Sequence, residues 1–379
     1  MTRKVYSRRL AALAAVLALV LTLSGPAYGT TSGMGNFKKV AEYTGFPDVD
    51  ASAWYAADVR KAYELGIING KAGGYFDPTG NITLAEAITM AAKVAAIYNG
   101  DAFVPGGSPW YENAVRYAVQ EGITYDGEYL DYSMTATRAD LAGLLSFTLP
   151  AREFARINRV AWIPDVTFQT HYANYIYQMY NAGVLTGNAA GSFQPDSPIT
   201  RAEAAAIINR VAVPSSRKSF SLTTHAPGEV VTSANGNFQV CVPQNAGWVV
   251  DANDIFEGGS SGFSCRLDGG TALFEVVTFD KHELEGLTSE NVANLYHSYI
   301  SEDLDGTIEK DIYLSLARGL VSYAIDYTYE VDGVAYAGRC HWVENSTNYY
   351  MVELGYSEHC TDAQYAKLYD LFYSFDMAL

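Results

Sequence analysis

The chain has 379 residues, of which 49% are hydrophobic and 18% charged. That composition excludes a wholly disordered chain and leaves room for two or three globular units. With 42 acidic against 25 basic side chains the formal net charge is −17, which argues against nucleic acid as the natural partner, because phosphate recognition needs a clustered positive surface.

Residues 1–29 read as a signal peptide. Arg3, Lys4, Arg8 and Arg9 precede an apolar stretch from Leu10 to Leu23 that is too short and wrongly flanked for a stable membrane span. Ala27-Tyr28-Gly29 then places small residues at −3 and −1 of a cleavage site before Thr30. No Cys lies near that site to carry a lipid, and no later stretch is long and apolar enough to span a bilayer. The expectation is an exported protein with no covalent tie to the cell.

An internal repeat follows. Phe46-Pro47-Asp48-Val49 recurs as Ile163-Pro164-Asp165-Val166, at an offset of 117 residues. The same offset maps Gly66-Ile67-Ile68-Asn69-Gly70 onto Gly183-Val184-Leu185-Thr186-Gly187. It also maps Tyr75-Phe76-Asp77-Pro78 onto Ser192-Phe193-Gln194-Pro195, and Ile82-Thr83-Leu84-Ala85-Glu86 onto Ile199-Thr200-Arg201-Ala202-Glu203. A degraded middle copy keeps Trp110-Tyr111 opposite Trp54-Tyr55, Gly122-Ile123 opposite Gly66-Ile67, and Thr137-Arg138-Ala139-Asp140 opposite the last motif. The copies span residues 30–99, 100–150 and 151–213. Each reads as helix, Gly-rich loop, helix. In the first, Gly66 stops the leading helix, and Ile88, Ala91, Ala92 and Ala95 give the second a flat face for close packing. Such a unit cannot bury its apolar stripe alone, so the three copies should stack.

Thr200-Arg201-Ala202-Glu203 opens the second helix of copy three. Thr200 can cap the helix while Glu203 reaches back, a capping box that Thr83/Glu86 and Thr137/Asp140 share at the same spacing. Capping does not explain Arg138 or Arg201, since a cation in the first turn sits at the unfavourable end of the helix dipole. Two readings stand. The guanidinium, with free N–H groups and the dipole, makes a site for a carboxylate or phosphate, or it pairs with an acid of a neighbouring copy. Copy one has Leu84 at this position and so lacks the contact.

Together these motifs resemble S-layer homology (SLH) domains over about 170 of the 379 residues. The resemblance is closest in copy three and faintest in copy two. It implies an all-α bundle of three SLH repeats about a pseudo-threefold axis, whose grooves bind secondary cell-wall polysaccharide, typically through a pyruvylated sugar. By position, Arg138 and Arg201 would meet the pyruvyl carboxylate. Asp48, Asp165, Gly74 and Gly191 would shape the grooves, and Trp54 and Trp110 would offer faces to sugar. His171 stands where copy three would have its Trp. Independently of the family, Trp54 and Trp110 also fit a helix core, and Asp48 and Asp165 also fit a cap or a braced turn.

Residues 214–236 read as a linker rich in Ser, Thr and Gly, and 237–379 as an acidic α+β domain. From Arg217 onward there are 8 basic and 24 acidic residues, against 13 and 18 over residues 30–216. Phe238–Val242, Ala272–Phe279, Leu320–Tyr329, Tyr336–Val343 and Tyr349–Tyr356 read as strands, and Glu290–Ile300 and Asp362–Phe372 as helices. Cys241, Cys265, Cys340 and Cys360 read as two disulfides with three possible pairings, of which neighbours in sequence, Cys241–Cys265 and Cys340–Cys360, are preferred. His282-Glu283 lacks the second His of a zinc protease helix. The Ser301–Ile312 stretch, with Asp303 and Asp305, has too few ligands for a calcium loop of the EF-hand kind. The element order loosely resembles the PsbP/Mog1-like α/β sandwich, which hosts mainly non-enzymatic modules.

The expected fold is multidomain, an all-α three-repeat SLH bundle followed by an α+β domain with an antiparallel sheet. The expected function is non-catalytic: a secreted cell-surface protein docked on cell-wall polysaccharide, with no cofactor, no metal and an unidentified ligand for its outer domain. An SLH-anchored wall hydrolase and an S-layer lattice subunit are the alternatives.

Overall fold

The computed structural model describes residues 32–377 apart from 223–225, 256–259, 268–269, 283, 285 and 303–305. The signal peptide read over residues 1–29, together with Glu283, Asp303 and Asp305, lies outside the described residues. The chain divides after Leu222 into two compact units.

In the N-terminal unit each copy is a helix pair: α1 (Ala56–Glu64) with α2 (Leu84–Asn99), α3 (Glu112–Gln120) with α4 (Arg138–Ser146), and α5 (Ala173–Asn181) with α6 (Arg201–Ala212). The second helix of each pair starts on a closed capping box, Thr83 with Glu86, Thr137 with Asp140 and Thr200 with Glu203. Each box satisfies two amides that the helix cannot satisfy itself. Small side chains then let these helices pack closely, Ile88, Ala91 and Ala92 being wholly buried.

The residues just before the three caps meet at the centre. Ile82 N–H donates to Ile199 O at 3.1 Å, Ile199 N–H to Ala136 O at 3.1 Å, and Ala136 N–H to Ile82 O at 2.9 Å. This is a closed ring of three backbone hydrogen bonds, with all three side chains fully buried. Bridges Asn81–Thr200, Thr83–Thr135 and Thr137–Pro198 flank the ring. A parallel pair, β1 (Arg159–Val160) with β2 (Ser221–Leu222), joins copy three to part of the stretch read as linker.

The expected fold class is therefore corrected. The described residues hold eight α-helices and twelve strands, so the chain is mixed α/β and dominated by a large sheet. Nor is the repeat region an all-α bundle, because its copies are tied together by β-bridges and copy three pairs with the following stretch in a short parallel ladder. Those segments pair across the chain and are too short to show a strand's alternation.

The C-terminal unit contains β3 (Glu229–Thr232), β4 (Phe238–Val242), β5 (Trp248–Ile255), β6 (Ser261–Leu267), β7 (Ala272–Asp280), α7 (Ser289–Glu302), β8 (Thr307–Ala317), β9 (Leu320–Val331), β10 (Val334–Glu344), β11 (Asn348–Ser357), α8 (Asp362–Ser374) and β12 (Asp376–Met377). An antiparallel sheet runs β5-β6-β7-β11-β10-β9-β8, beside a smaller β12-β4-β3 sheet. One face of the large sheet buries Val292, Tyr296 and Ile300 of α7 against Tyr327, Cys340 and Trp342. On the other, the His341 ring stacks on Phe372 of α8 at 5.3 Å.

The two expected disulfides do not form among the described residues. Cys340 and His341 are adjacent on β10 and so point to opposite faces. Cys340 lies in the core under α7, whereas Cys360 leads into α8 on the other side. Cys241 belongs to the small sheet, its Sγ 2.7 Å from Ala226 O, and Cys265 to the large one. A disulfide needs Cα atoms within about 7 Å and converging Cβ vectors.

Candidate functional site

The site is built where each capped helix docks on the next copy. At α6, Arg201 N–H donates to Gly80 O and Ala202 N–H to Pro78 O, at 2.9 and 3.0 Å. At α4, Arg138 N–H and Ala139 N–H donate to Ser197 O and Pro195 O, and at α2 Leu84 N–H and Ala85 N–H donate to Met134 O and Tyr132 O. Copy three thus docks on copy one, copy two on copy three, and copy one on copy two. With the boxes closed as well, the first-turn amides are spent inside the protein. The reading of free N–H groups helping to bind an anion is corrected: only the guanidinium remains to do so.

The arginines also reach across. Arg201 donates through Nε to Phe76 O at 2.6 Å, through Nη1 to Glu86 Oε1 at 3.2 Å and through Nη2 to Asn69 O at 2.8 Å, and it lies over the Phe76 ring. Arg138 donates through Nε to Phe193 O and through Nη1 to Glu203 Oε1, both at 2.8 Å, over the Phe193 ring. Pairing with a neighbouring copy's acid, one of the two readings, is what both arginines do. They still differ. Arg138 Nη2 has no protein acceptor among the described residues, and its side chain is 14% exposed against 5% for Arg201.

Each glutamate works twice. Glu86 and Glu203 cap their own helix with Oε2 and receive the neighbour's arginine with Oε1. Asp140 is one methylene shorter and only caps, through Oδ2. The copy docked on it is copy one, where Leu84 replaces the arginine. The two departures from the repeat pattern therefore meet at one junction. Leu84→Arg alone should destabilise the unit by burying an unpaired cation, and Asp140→Glu added to it should recover about 1–3 kcal/mol beyond additivity. A double-mutant cycle by chemical denaturation reads this, and strict additivity would refute it.

Asp48 Oδ1 and Oδ2 accept the Phe76 and Asp77 amides at 2.8 and 2.6 Å, and Asp165 accepts those of Phe193 and Gln194 at 2.7 and 2.6 Å. Of cap and brace, both acids brace. They hold each loop where Asp77 and Gln194 adopt φ of 60°, a left-handed backbone that costs non-glycine residues energy. Burial would raise the Asp48 carboxyl, but the two amides outweigh it and hold it below the usual carboxylate range. Gly74 and Gly191, at φ of 80° and 82°, supply the left-handed turns just before.

Trp54 and Trp110 are 64% and 53% exposed, which removes the core reading. Each stands edge-on to the following tyrosine, at 5.3 and 5.5 Å, while His171 stacks on Tyr172 at 3.8 Å. Two cavities of about 370 and 510 Å³ open beside copy two, one lined by Glu128, Phe147 and Tyr172 and the other by Tyr111, Arg116 and Tyr132. Neither is lined by Arg138 or Arg201. What sequence reasoning missed is the set of carbonyls at Asn69, Phe76 and Phe193, with the two Phe rings. The Phe-x-Pro pairs marked those loops, but not that they hold a neighbour's arginine.

In the C-terminal unit Glu275 and Glu353 face each other across β7 and β11, 2% and 0% exposed. Glu353 accepts the hydroxyls of Tyr296 and Tyr327 at 2.8 and 2.6 Å. Among the described residues no cluster of His, Cys, Asp and Glu is arranged to hold a metal ion.

Residues 45–88 and 168–205 match the family model of the S-layer homology domain, leaving copy two outside both matches. The chain is 26% identical over 200 residues to the exoglucanase XynX of Acetivibrio thermocellus, covering 49% of this chain and 18% of that one. It is 27% identical over 177 residues to an S-layer protein of Bacillus thuringiensis subsp. finitimus, covering 43% and 21%. The match thus spans about a fifth of these relatives' own lengths. Among solved structures, the cyanobacterial PsbP (CyanoP) of Synechocystis sp. PCC 6803 aligns with 42% of this chain and 98% of its own, at 14% identity and a TM-score of 0.30. The domain matches and the S-layer relative mark a secreted, cell-surface protein. No helix among the described residues is long and apolar enough to cross a membrane.

Proposed function

We propose that the N-terminal unit holds this surface protein non-covalently on an anionic secondary cell-wall polysaccharide, by way of a pyruvylated sugar, and that the C-terminal unit is a displayed, non-catalytic interaction domain. The observation that carries this reading is the uncommitted Arg138 Nη2. The guanidinium is fixed by Phe193 O and Glu203, so a carboxylate arriving at its open edge meets a donor already oriented. Sugar rings stack on exposed aromatic faces, and Trp54 and Trp110 offer two. Asp48 and Asp165, with Gly74 and Gly191, act by shaping the loops rather than by touching the ligand. Arg201, with three acceptors and little exposure, is chiefly a structural tie.

The full chain should be retained on purified wall polymer and released when the pyruvyl groups are stripped. Equal retention on both polymers would remove the carboxylate mechanism. The hydrolase alternative needs two carboxylates open to substrate. Glu275 and Glu353 are closed over by α7 and its tyrosine, so that pair lends it no support.

A further inference from the structure

At the C-terminal end of α6 the N-terminal unit gathers four cations, Arg210, Arg217, Lys218 and Arg152, of which, among the described residues, only Arg152 lies within ion-pair distance of an acid, Glu153 at 3.8 Å. Arg210 donates Nη1 to Val184 O at 3.1 Å, and Arg217 donates Nε to Arg210 O at 3.1 Å while lying over the Phe154 ring. Arg210 Nε and Arg217 Nη2 are buried and have no hydrogen-bond partner. Lys218 adjoins them, its N–H on Gly183 O and its carbonyl on the Asn158 amide, with its side chain in solvent. Arg152 stands nearby with its side chain 70% exposed. The nearest acids are Asp58, which accepts the Asn209 amide, and Glu153, which accepts the Tyr98 hydroxyl and pairs with Arg152, and neither reaches the Arg210 or Arg217 guanidinium at ion-pair distance.

Helix capping explains part of this. Arg210 in the last turn suits the dipole, and Arg217 satisfies a terminal carbonyl. Those roles use one N–H from each side chain, and neutral donors could fill them. They leave two guanidinium charges partly desolvated with no carboxylate at ion-pair distance, and burial pushes both below their usual pKa range. A desolvated charge without a partner is unfavourable until an anion supplies one. Arg201 begins the same helix and Arg210 lies near its end, nine residues or about 14 Å away, so this patch is separate from the junctions.

We propose that the patch formed by Arg210, Arg217, Lys218 and Arg152 is a second binding surface, which takes a polyanionic polymer through its phosphodiester or carboxylate groups. It goes beyond the junction reading and stands without it. Several cations spread over one surface suit a ligand with repeated charges better than a single terminal group.

The test titrates the full chain with poly(glycerol phosphate), polygalacturonate and neutral dextran at about 50 and about 200 mM salt. Salt-sensitive binding of either polyanion, without binding of dextran, supports the proposal, and the polyanion preferred identifies the source. Lys218→Glu, and Arg210→Gln with Arg217→Gln, should each weaken that binding about tenfold while leaving the response to a pyruvylated oligosaccharide unchanged. If the double variant fails to fold, the exposed Lys218→Glu and Arg152→Glu decide alone. Unaltered affinity in both of these, or equal binding of dextran, would overturn the proposal. Loss of the oligosaccharide response alone would instead implicate the junctions.

Discussion

Replacing Arg201 by Met should lower the unfolding free energy of the N-terminal unit by about 3–5 kcal/mol, the range for removing one partner of a buried pair. The side chain is 5% exposed and ties copy three to three groups of copy one, Phe76 O, Asn69 O and Glu86. Met restores much of the packing on the Phe76 ring but none of the donors, so two carbonyls and a carboxylate lose their partner. Arg138→Met should cost clearly less, since Arg138 makes two such bonds and is the more exposed. Denaturant unfolding of the two full-length variants reads the difference. A loss below about 1 kcal/mol for Arg201→Met would mean that the junction does not hold the copies together.

Asp48→Ala should cost about 2–4 kcal/mol, because two amides lose charge-assisted acceptors and the left-handed Asp77 loses its brace. Asp48→Asn should cost about half as much, keeping one acceptor oxygen. The pair also isolates a pH effect. A carboxyl held below its unfolded value of about 3.9 stabilises the fold fully above that pH, and the contribution disappears as pH falls through the folded value. The stability gap between wild type and Asp48→Asn should therefore be constant near neutrality and shrink below about pH 4. Melting curves across that range check it, and a gap that widens on acidification would contradict the assignment.

The repeats were legible because their signals are local. A Thr three residues before Glu or Asp and a Gly after each leading helix recur at fixed offsets and survive in a single sequence. The junctions were not, since Arg201 meets partners 115, 125 and 132 residues away. No local rule says whether a first-turn arginine faces solvent, a ligand or another copy. The ring at Ile82, Ala136 and Ile199 is hidden for the same reason, and with it the departure from an all-α bundle. In the C-terminal unit, alternation exposes strands such as Phe238–Val242, whereas β8 is an edge strand whose register shifts twice against β9, which erases its period. The disulfide expectation failed on the same alternation, which sends Cys340 to the face opposite the one Cys360 leads into.

Wall binding should then depend on Arg138, the repeat-junction guanidinium that is fixed by its neighbours and keeps Nη2 without a protein acceptor. Arg138→Lys keeps the charge but removes the planar fork, and at a position where Arg holds a carbonyl and a carboxylate at once that change is not conservative. The direct measurement is calorimetric titration of a pyruvylated wall oligosaccharide into the full-length protein and into Arg138→Lys, with thermal melts alongside. The expected result is saturable binding by the wild type, weakened about tenfold or more in the variant, with melting lowered only slightly. Equal affinity in the two proteins, or equal affinity for the same oligosaccharide without its pyruvyl group, would contradict it.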